Sequence, residues 1–261
     1  MKPLHSWNVS VEEAIQIQEA SKDRIILKKP FSKVEPHLQS PLHPTSSPSG
    51  ATSRLNAGTF IYGQESWPSS AGVRTMGGGD VAYSKNENRL FGAIVVLSFP
   101  DMEILDMATA DGKIPFPYIP NLLSFREGPI LIKTFQKLKI KADVMIYDGQ
   151  GIAHPRGMGL ASHMGLWFDL PSIGCAKTPL LEGFISPEPS RGSFEWIRRE
   201  GKEVGAVLRT KDNVKPLFIS PGHRIDLQTT IQLILESCQG FRFPEPLRKA
   251  HQASRKMLHS A

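Results

Sequence analysis

A chain of 261 residues, 40% hydrophobic and 21% charged, has the composition of a globular protein with one good core, or at most two small ones. No apolar run reaches the roughly 18 residues that a bilayer span requires, and residues 1–29 mix charge with apolar side chains, unlike a secretory leader; the expectation is a soluble, cytoplasmic protein. A net charge of +6 favours polyanionic partners without marking one patch, because the basic residues are scattered, with modest concentrations at 137–141 and 198–202.

Residues 11–22 predict a helix, with Ser10 and Glu13 at capping-box spacing and no Gly or Pro inside. Residues 41–53 are rich in Ser, Pro and Gly and poor in apolar side chains, the pattern of a flexible insertion that cannot offset its ordering entropy. Three strands follow, at 78–84, 90–99 and 102–108, separated by short polar breaks, as in an antiparallel meander. Residues 121–138 turn helical, with Gly128-Pro129 expected to bend or restart the helix. A buried strand at 142–147 ends in Asp148-Gly149, and a helix rich in small residues spans about 157–166. Short strands at 172–176, 204–209 and 217–220 precede a helix capped by Asp226, with Leu227, Ile231, Ile234 and Cys238 on one face and Gly240 closing it. A meander followed by alternating helices and strands predicts a three-layer α/β domain on a mixed sheet. Cys175 and Cys238 lie far apart in apolar surroundings, with no CxxC or histidine pair beside them, so they read as buried thiols and exclude a zinc site built on them.

Three acidic residues stand out by position. Asp80 sits in a glycine-rich strand, Glu127 early in the helix after the meander, and Asp148 at the end of a buried strand. Oxygen ligands gathered from separate elements are what a phosphodiesterase needs to hold Mg²⁺, which activates water and neutralises phosphate charge. Each also has an ordinary explanation. Asp-Gly is a common turn, and a lone helical Glu is usually solvated. Asp80 is the least ordinary, because a strand disfavours Asp without a polar partner. Spacing alone leaves both readings open.

The sequence around these residues resembles the endonuclease V family. The matching stretches are Gly79-Asp80-Val81-Ala82-Tyr83, Pro117-Tyr118-Ile119-Pro120, and Leu123-Ser124-Phe125-Arg126-Glu127-Gly128-Pro129. Further along come Asp148-Gly149-Gln150-Gly151-Ile152-Ala153-His154-Pro155-Arg156, Gly159-Leu160-Ala161-Ser162-His163 and Asp169-Leu170-Pro171-Ser172-Ile173-Gly174-Cys175-Ala176-Lys177. Gly222-His223-Arg224 and Pro244-Glu245-Pro246-Leu247-Arg248 complete the set, in the family's order. One such motif is weak; their conjunction, over most of residues 75–251, is specific. The Ser/Pro-rich stretch before Asp80 is longer than the family usually carries.

The resemblance implies an RNase H-like three-layer fold with a central mixed sheet, formed by residues 1–261 as a single nuclease domain with a Ser/Pro-rich insertion at 41–58. It implies that Asp80, Glu127 and Asp148 bind Mg²⁺, for which Mn²⁺ can substitute, and that Lys177 and His251 belong to the catalytic site. A lysine there could orient water or stabilise phosphate charge. His154 and His223, each at a turn, read as structural residues or substrate contacts rather than as ligands. The loop of Tyr118, stiffened by Pro117 and Pro120, is implied to be a wedge pushed into the base stack. Ile119, Arg126, Gly149, Gly151, His154 and Leu180 then surround the turned-out base. The implied reaction is a nick at the second phosphodiester bond 3′ to deoxyinosine, leaving 3′-hydroxyl and 5′-phosphate, in DNA repair, by a monomer. Two alternatives stand beside it: an inosine-specific endoribonuclease, and a non-catalytic inosine-binding module. Ser162-His163 and the lack of a long C-terminal extension lean towards DNA. The retained carboxylates speak against a module that only binds.

Overall fold

The computed structural model describes residues 3–28, 72–84 and 87–260; the predicted insertion at 41–58 lies outside them. Helix α1 (Val11–Ser21) begins at the predicted capping box: Ser10 Oγ accepts from Glu13 N, and Glu13 Oε2 accepts from Ser10 N at 2.7 Å. The meander is β1 (Thr75–Ser84), β2 (Arg89–Ser98) and β3 (Ile104–Lys113), paired antiparallel in chain order. β3 continues past residue 108, where its sequence turns polar, because β2 offers ladder partners up to Arg89 opposite Lys113 and an edge strand tolerates polar side chains.

Alternation follows as expected. Helix α2 (Leu123–Phe135) leads to β4 (Val144–Tyr147), and α3 (Leu160–Phe168) to β5 (Ser172–Ala176). Then come β6 (Phe194–Arg199), β7 (Lys202–Leu208), β8 (Leu217–His223), α4 (Leu227–Ser237) and α5 (Glu245–Ser260). Two expectations need correcting. Pro129 lies inside α2 and neither ends nor restarts it. It forfeits one bond to the carbonyl of Phe125, while Ile130, Leu131 and Phe135 are buried along the same helix and hold it to the sheet. β6 was not expected at all; the signal for it is the Glu200-Gly201 turn, whose φ values of 53° and 76° are those of a tight hairpin. Asp226 caps α4 as predicted, accepting from Thr229 N at 2.7 Å.

The eight strands form one mixed sheet in the order β3-β2-β1-β4-β5-β8-β7-β6. β1, β4 and β5 run parallel at its centre. On one face, Leu131 and Phe135 of α2 and Met164 and Trp167 of α3 are buried against Ile94, Val96 and Tyr147. On the other, Ile231 and Ile234 of α4 and Leu247 and Ala250 of α5 meet Met76, Val95, Ile146 and Ile219. This is the three-layer arrangement that the sequence predicts. No helix of the described residues is long and apolar enough to cross a membrane.

Strand alternation sets the site. In β1, Gly77 and Gly79 face Met145 and Tyr147, while Gly78 faces α5 so closely that a Cβ there would overlap the Pro246 backbone. Asp80, two residues on from Gly78, therefore also faces α5. The parallel ladder pairs Gly79 with Tyr147. One residue further, Asp80 and Asp148 emerge side by side at the carboxyl end of β4, where open α/β sheets place their ligands.

Candidate active site

Each acidic residue is engaged by a donor of its own. Asp80 Oδ2 accepts from Ser254 Oγ at 2.5 Å, and His251 Nδ1 lies 3.3 Å from the same oxygen; both residues come from α5. Asp148 Oδ2 pairs with Lys177 Nζ at 2.7 Å, Lys177 being the residue after β5. Glu127 Oε1 accepts from Tyr83 Oη at 2.5 Å, and the Arg126 guanidinium lies 5.0 Å over the Tyr83 ring. Asp80, Asp148, Lys177 and His251 share the walls of a cavity of about 360 Å³ with Phe241, Arg242, Phe243, Leu247 and Arg248.

Burial raises the Asp80 pKa, against the Ser254 hydrogen bond and the His251 charge, with Asp148 adding to the rise. Glu127 is pushed up to about 8, chiefly by burial, with Tyr83 opposing and the charges of Asp80 and Asp148 adding. Burial and then the Glu127 charge raise Tyr83 far above the usual phenol range, so it stays a donor. Among the described residues no three His, Cys, Asp or Glu side chains stand close enough to share one ion. The donor set nevertheless fits a hard divalent cation. It consists of carboxylates from a strand, a strand end and a helix, whose burial and mutual repulsion a dication would relieve.

A second cavity, of about 390 Å³, shares Asp148 and Lys177 with the first. Its other walls include Gln18, Tyr118, Ile119, Pro120, Asn121, Gly149, Gln150, His154, Thr178 and Leu180. Tyr118 is 74% exposed, a large aromatic ring standing on a loop. His154 is buried: Nδ1 accepts from Arg156 N at 3.2 Å, so Nε2 carries the proton and donates to Asn121 O at 3.0 Å. Burial, then the Arg156 charge, lowers its pKa to about 4, so the ring is neutral.

Most of these wall residues belong to the motifs quoted above, and comparison with known proteins agrees. The sequence pattern of endonuclease V matches residues 62–252. The chain belongs to the endonuclease V family. The endonuclease V of Dictyoglomus thermophilum is 51% identical over 187 residues, covering 72% of this chain and 81% of its own. The crystal structure of the Streptomyces avermitilis endonuclease V superposes with a TM-score of 0.78 at 33% identity, covering 98% and 96% of the two chains. That of Ciona intestinalis, bound to a 24mer DNA containing an inosine followed by a ribo-adenosine, gives a TM-score of 0.72 at 25% identity, covering 96% and 98%. By its membership the chain is an endonuclease, a hydrolase of phosphodiester bonds, in a family of metal-dependent nucleases.

Of the residues that family resemblance singles out, Asp80, Asp148, Lys177 and His251 come together in the first cavity, and Tyr118, Ile119, Gly149, His154 and Leu180 in the second. Glu127 lies within the field of the two aspartates but lines neither cavity. Gly151 and Arg126 also line neither. The Gly151 N–H donates to Ser220 Oγ at 2.8 Å, and Arg126 Nη1 to Phe116 O at 2.8 Å, holding the approach to the Tyr118 loop. His223 is buried elsewhere, between Ile26 N and Asp169. Three residues without a sequence-derived role emerge beside them. Ser254 was visible as the residue one helical turn after His251, and Tyr83 as the residue on the opposite strand face from Asp80. Gln18, 1% exposed on α1, carried no local signal.

Proposed function

We propose that this endonuclease nicks DNA at the second phosphodiester bond 3′ to deoxyinosine, leaving 3′-hydroxyl and 5′-phosphate ends, and so serves repair of deaminated adenine. One observation carries the reading: a base-sized cavity and a carboxylate cavity meet at Asp148 and Lys177. A base turned into the base-sized cavity brings the backbone on its 3′ side to the carboxylates. The inosine-containing DNA bound by the Ciona relative supports inosine as that base. Tyr118, exposed on its proline-stiffened loop, fills the gap left in the stack, and unpairing is cheapest where pairing is already weak. Lys177 stabilises charge on the scissile phosphate, and His251 with Ser254 orients Asp80.

Asp80, Glu127 and Asp148 would hold Mg²⁺, for which Mn²⁺ can substitute. When bound, the ion supplies a Lewis acid that lowers the pKa of water and neutralises phosphate charge. Residues 1–261 act as one nuclease domain and as a monomer in the cytoplasm, with 41–58 as a Ser/Pro-rich insertion in its sequence. A second reading, cleavage of inosine-containing RNA, is favoured by one observation, the ribo-adenosine following inosine in the Ciona ligand. A module that only binds inosine is disfavoured by the complete carboxylate set.

The test is incubation of the protein with end-labelled duplex DNA carrying one inosine, with Mg²⁺ and with EDTA, beside its RNA counterpart and an unmodified duplex. The expected result is a Mg²⁺-dependent nick one nucleotide beyond the lesion and none in the control. Cleavage of the RNA alone would replace DNA with RNA as the substrate. Failure on both would overturn the proposal.

A further inference from the structure

The loop that carries Tyr118 is tied down at one atom. Asn121, the residue after Pro120, sits at φ 67°, a left-handed conformation, and its carbonyl accepts from three side chains. These are Gln18 Nε2 at 3.0 Å, His154 Nε2 at 3.0 Å and Arg156 Nη2 at 2.9 Å. Gln18 spans the junction. Its Nε2 also donates to Met158 O at 2.9 Å, and its Oε1 accepts from Arg156 Nε at 2.7 Å. Both polar atoms of the amide are thus used in a 1% exposed side chain that lies on α1, outside every matched motif.

Apolar contacts run in parallel. Ala14 of α1 is buried with Phe116, Leu122 and Phe125, and Ile119 of the loop rests on the same cluster. Pro117 and Pro120 fix the shape of the loop but not its orientation on the core. Orientation is set where the loop re-enters the core, at Asn121. A ring that must enter a base stack loses less on binding when its direction is set beforehand.

We propose that Gln18 is a positioning residue for strand separation: α1 reaches through it to the Asn121 carbonyl and aims Tyr118 at the duplex. The inference rests on the reading of Tyr118 as a wedge. It predicts that loss of Gln18 costs more where two strands must be parted than where they need not be.

The experiment compares kcat/KM on one inosine-containing oligonucleotide as a duplex and as a single strand, in the full chain with Mg²⁺. Gln18→Glu keeps the size but opposes acceptors to the carbonyls of Asn121 and Met158; Gln18→Met keeps the size without polar atoms. Both are expected to lower the duplex-to-single-strand ratio about tenfold, the scale of one lost buried hydrogen bond, mainly through KM. The fraction of folded protein cancels in that ratio, and calorimetric Mg²⁺ affinity is expected to stay within about twofold. Tyr118→Ala is the reference arm and should lower the ratio at least as far. A ratio unchanged in both Gln18 variants but lowered in Tyr118→Ala overturns the role of Gln18 and leaves the wedge standing. A ratio unchanged in Tyr118→Ala overturns the wedge, and the inference with it. Equal losses on duplex and single strand reduce Gln18 to a structural residue and overturn the inference.

Discussion

On one side of Asp148 and Lys177 the cavity wall carries further ionisable side chains, Asp80 and His251 with Arg242 and Arg248 beyond, set among Phe241, Phe243 and Leu247. On the other side, among the described residues, Asp148 and Lys177 are the only charged walls; the rest is backbone, amide, aromatic and aliphatic, with a histidine kept neutral. The first half keeps buried carboxylates beside one another at the cost of raised pKa values. The second half avoids charge and instead gathers donors onto a single carbonyl, that of Asn121. The contrast fits what the proposed function has each half meet. Phosphate chemistry needs charge placed in advance, and a neutral base needs shape and a few directed polar groups. Substitutions in the first half should therefore act on kcat and metal affinity, and those in the second on base selection and stability.

The largest effect should come from the charged half. Asp148→Ala or Asp80→Ala is expected to lower kcat about a thousandfold, on the order of 4 kcal/mol of transition-state stabilisation. Binding of an inosine-containing duplex in gel-shift assays should be affected far less. If either variant cleaves at the full rate with Mg²⁺, the division between the halves fails at its centre.

The neutral half makes a prediction about pH. The native environment holds His154 at about 4, against an ordinary 6.5, because burial and Arg156 disfavour the imidazolium. Below pH 6.5 the unfolded chain binds a proton that the folded chain refuses. Stability from this residue is therefore complete above 6.5 and falls as pH drops towards 4, by on the order of 3 kcal/mol. His154→Gln can still donate to Asn121 O but does not titrate. Urea unfolding across that pH range should give a flatter curve for the variant. Burial of His163 acts in the same direction but is common to both proteins and drops out of the difference. Parallel curves would show that the histidine is not held neutral.

Much of this was legible in the sequence where one strand or one motif sufficed. Asp80, Asp148 and Tyr118 were singled out by the family motifs around them; a glycine-rich strand, an Asp-Gly strand end and two flanking prolines had left their roles open. What was not legible lies in contacts between distant segments. Gln18 meets Asn121 across 103 positions and Met158 across 140, and no pattern on α1 announces either contact. Gly151 and Arg126 mark the opposite limit. They sit inside the right motifs, yet their polar groups are engaged by Ser220 and Phe116 and line neither cavity. A motif gives the neighbourhood of a side chain; its direction is set by which partner captures it.

Tyr83 sharpens the comparison at its finest scale, because it serves the charged half from the opposite face of the sheet. Its hydroxyl takes Glu127 Oε1; under the proposed metal role of Glu127, Oε2 is left for the cation and Tyr83 orients a ligand without being one. Tyr83→Phe keeps the ring beneath Arg126 and removes the hydroxyl that meets Glu127 and Arg126. The expected result is about a tenfold loss of Mg²⁺ affinity by calorimetry, the lower end for a residue that orients a ligand. The ratio of cleavage at inosine to cleavage of unmodified DNA should stay unchanged. Loss of inosine discrimination with metal affinity intact would mean that Glu127 and Tyr83 belong to base recognition, and the boundary between the halves would move to α2.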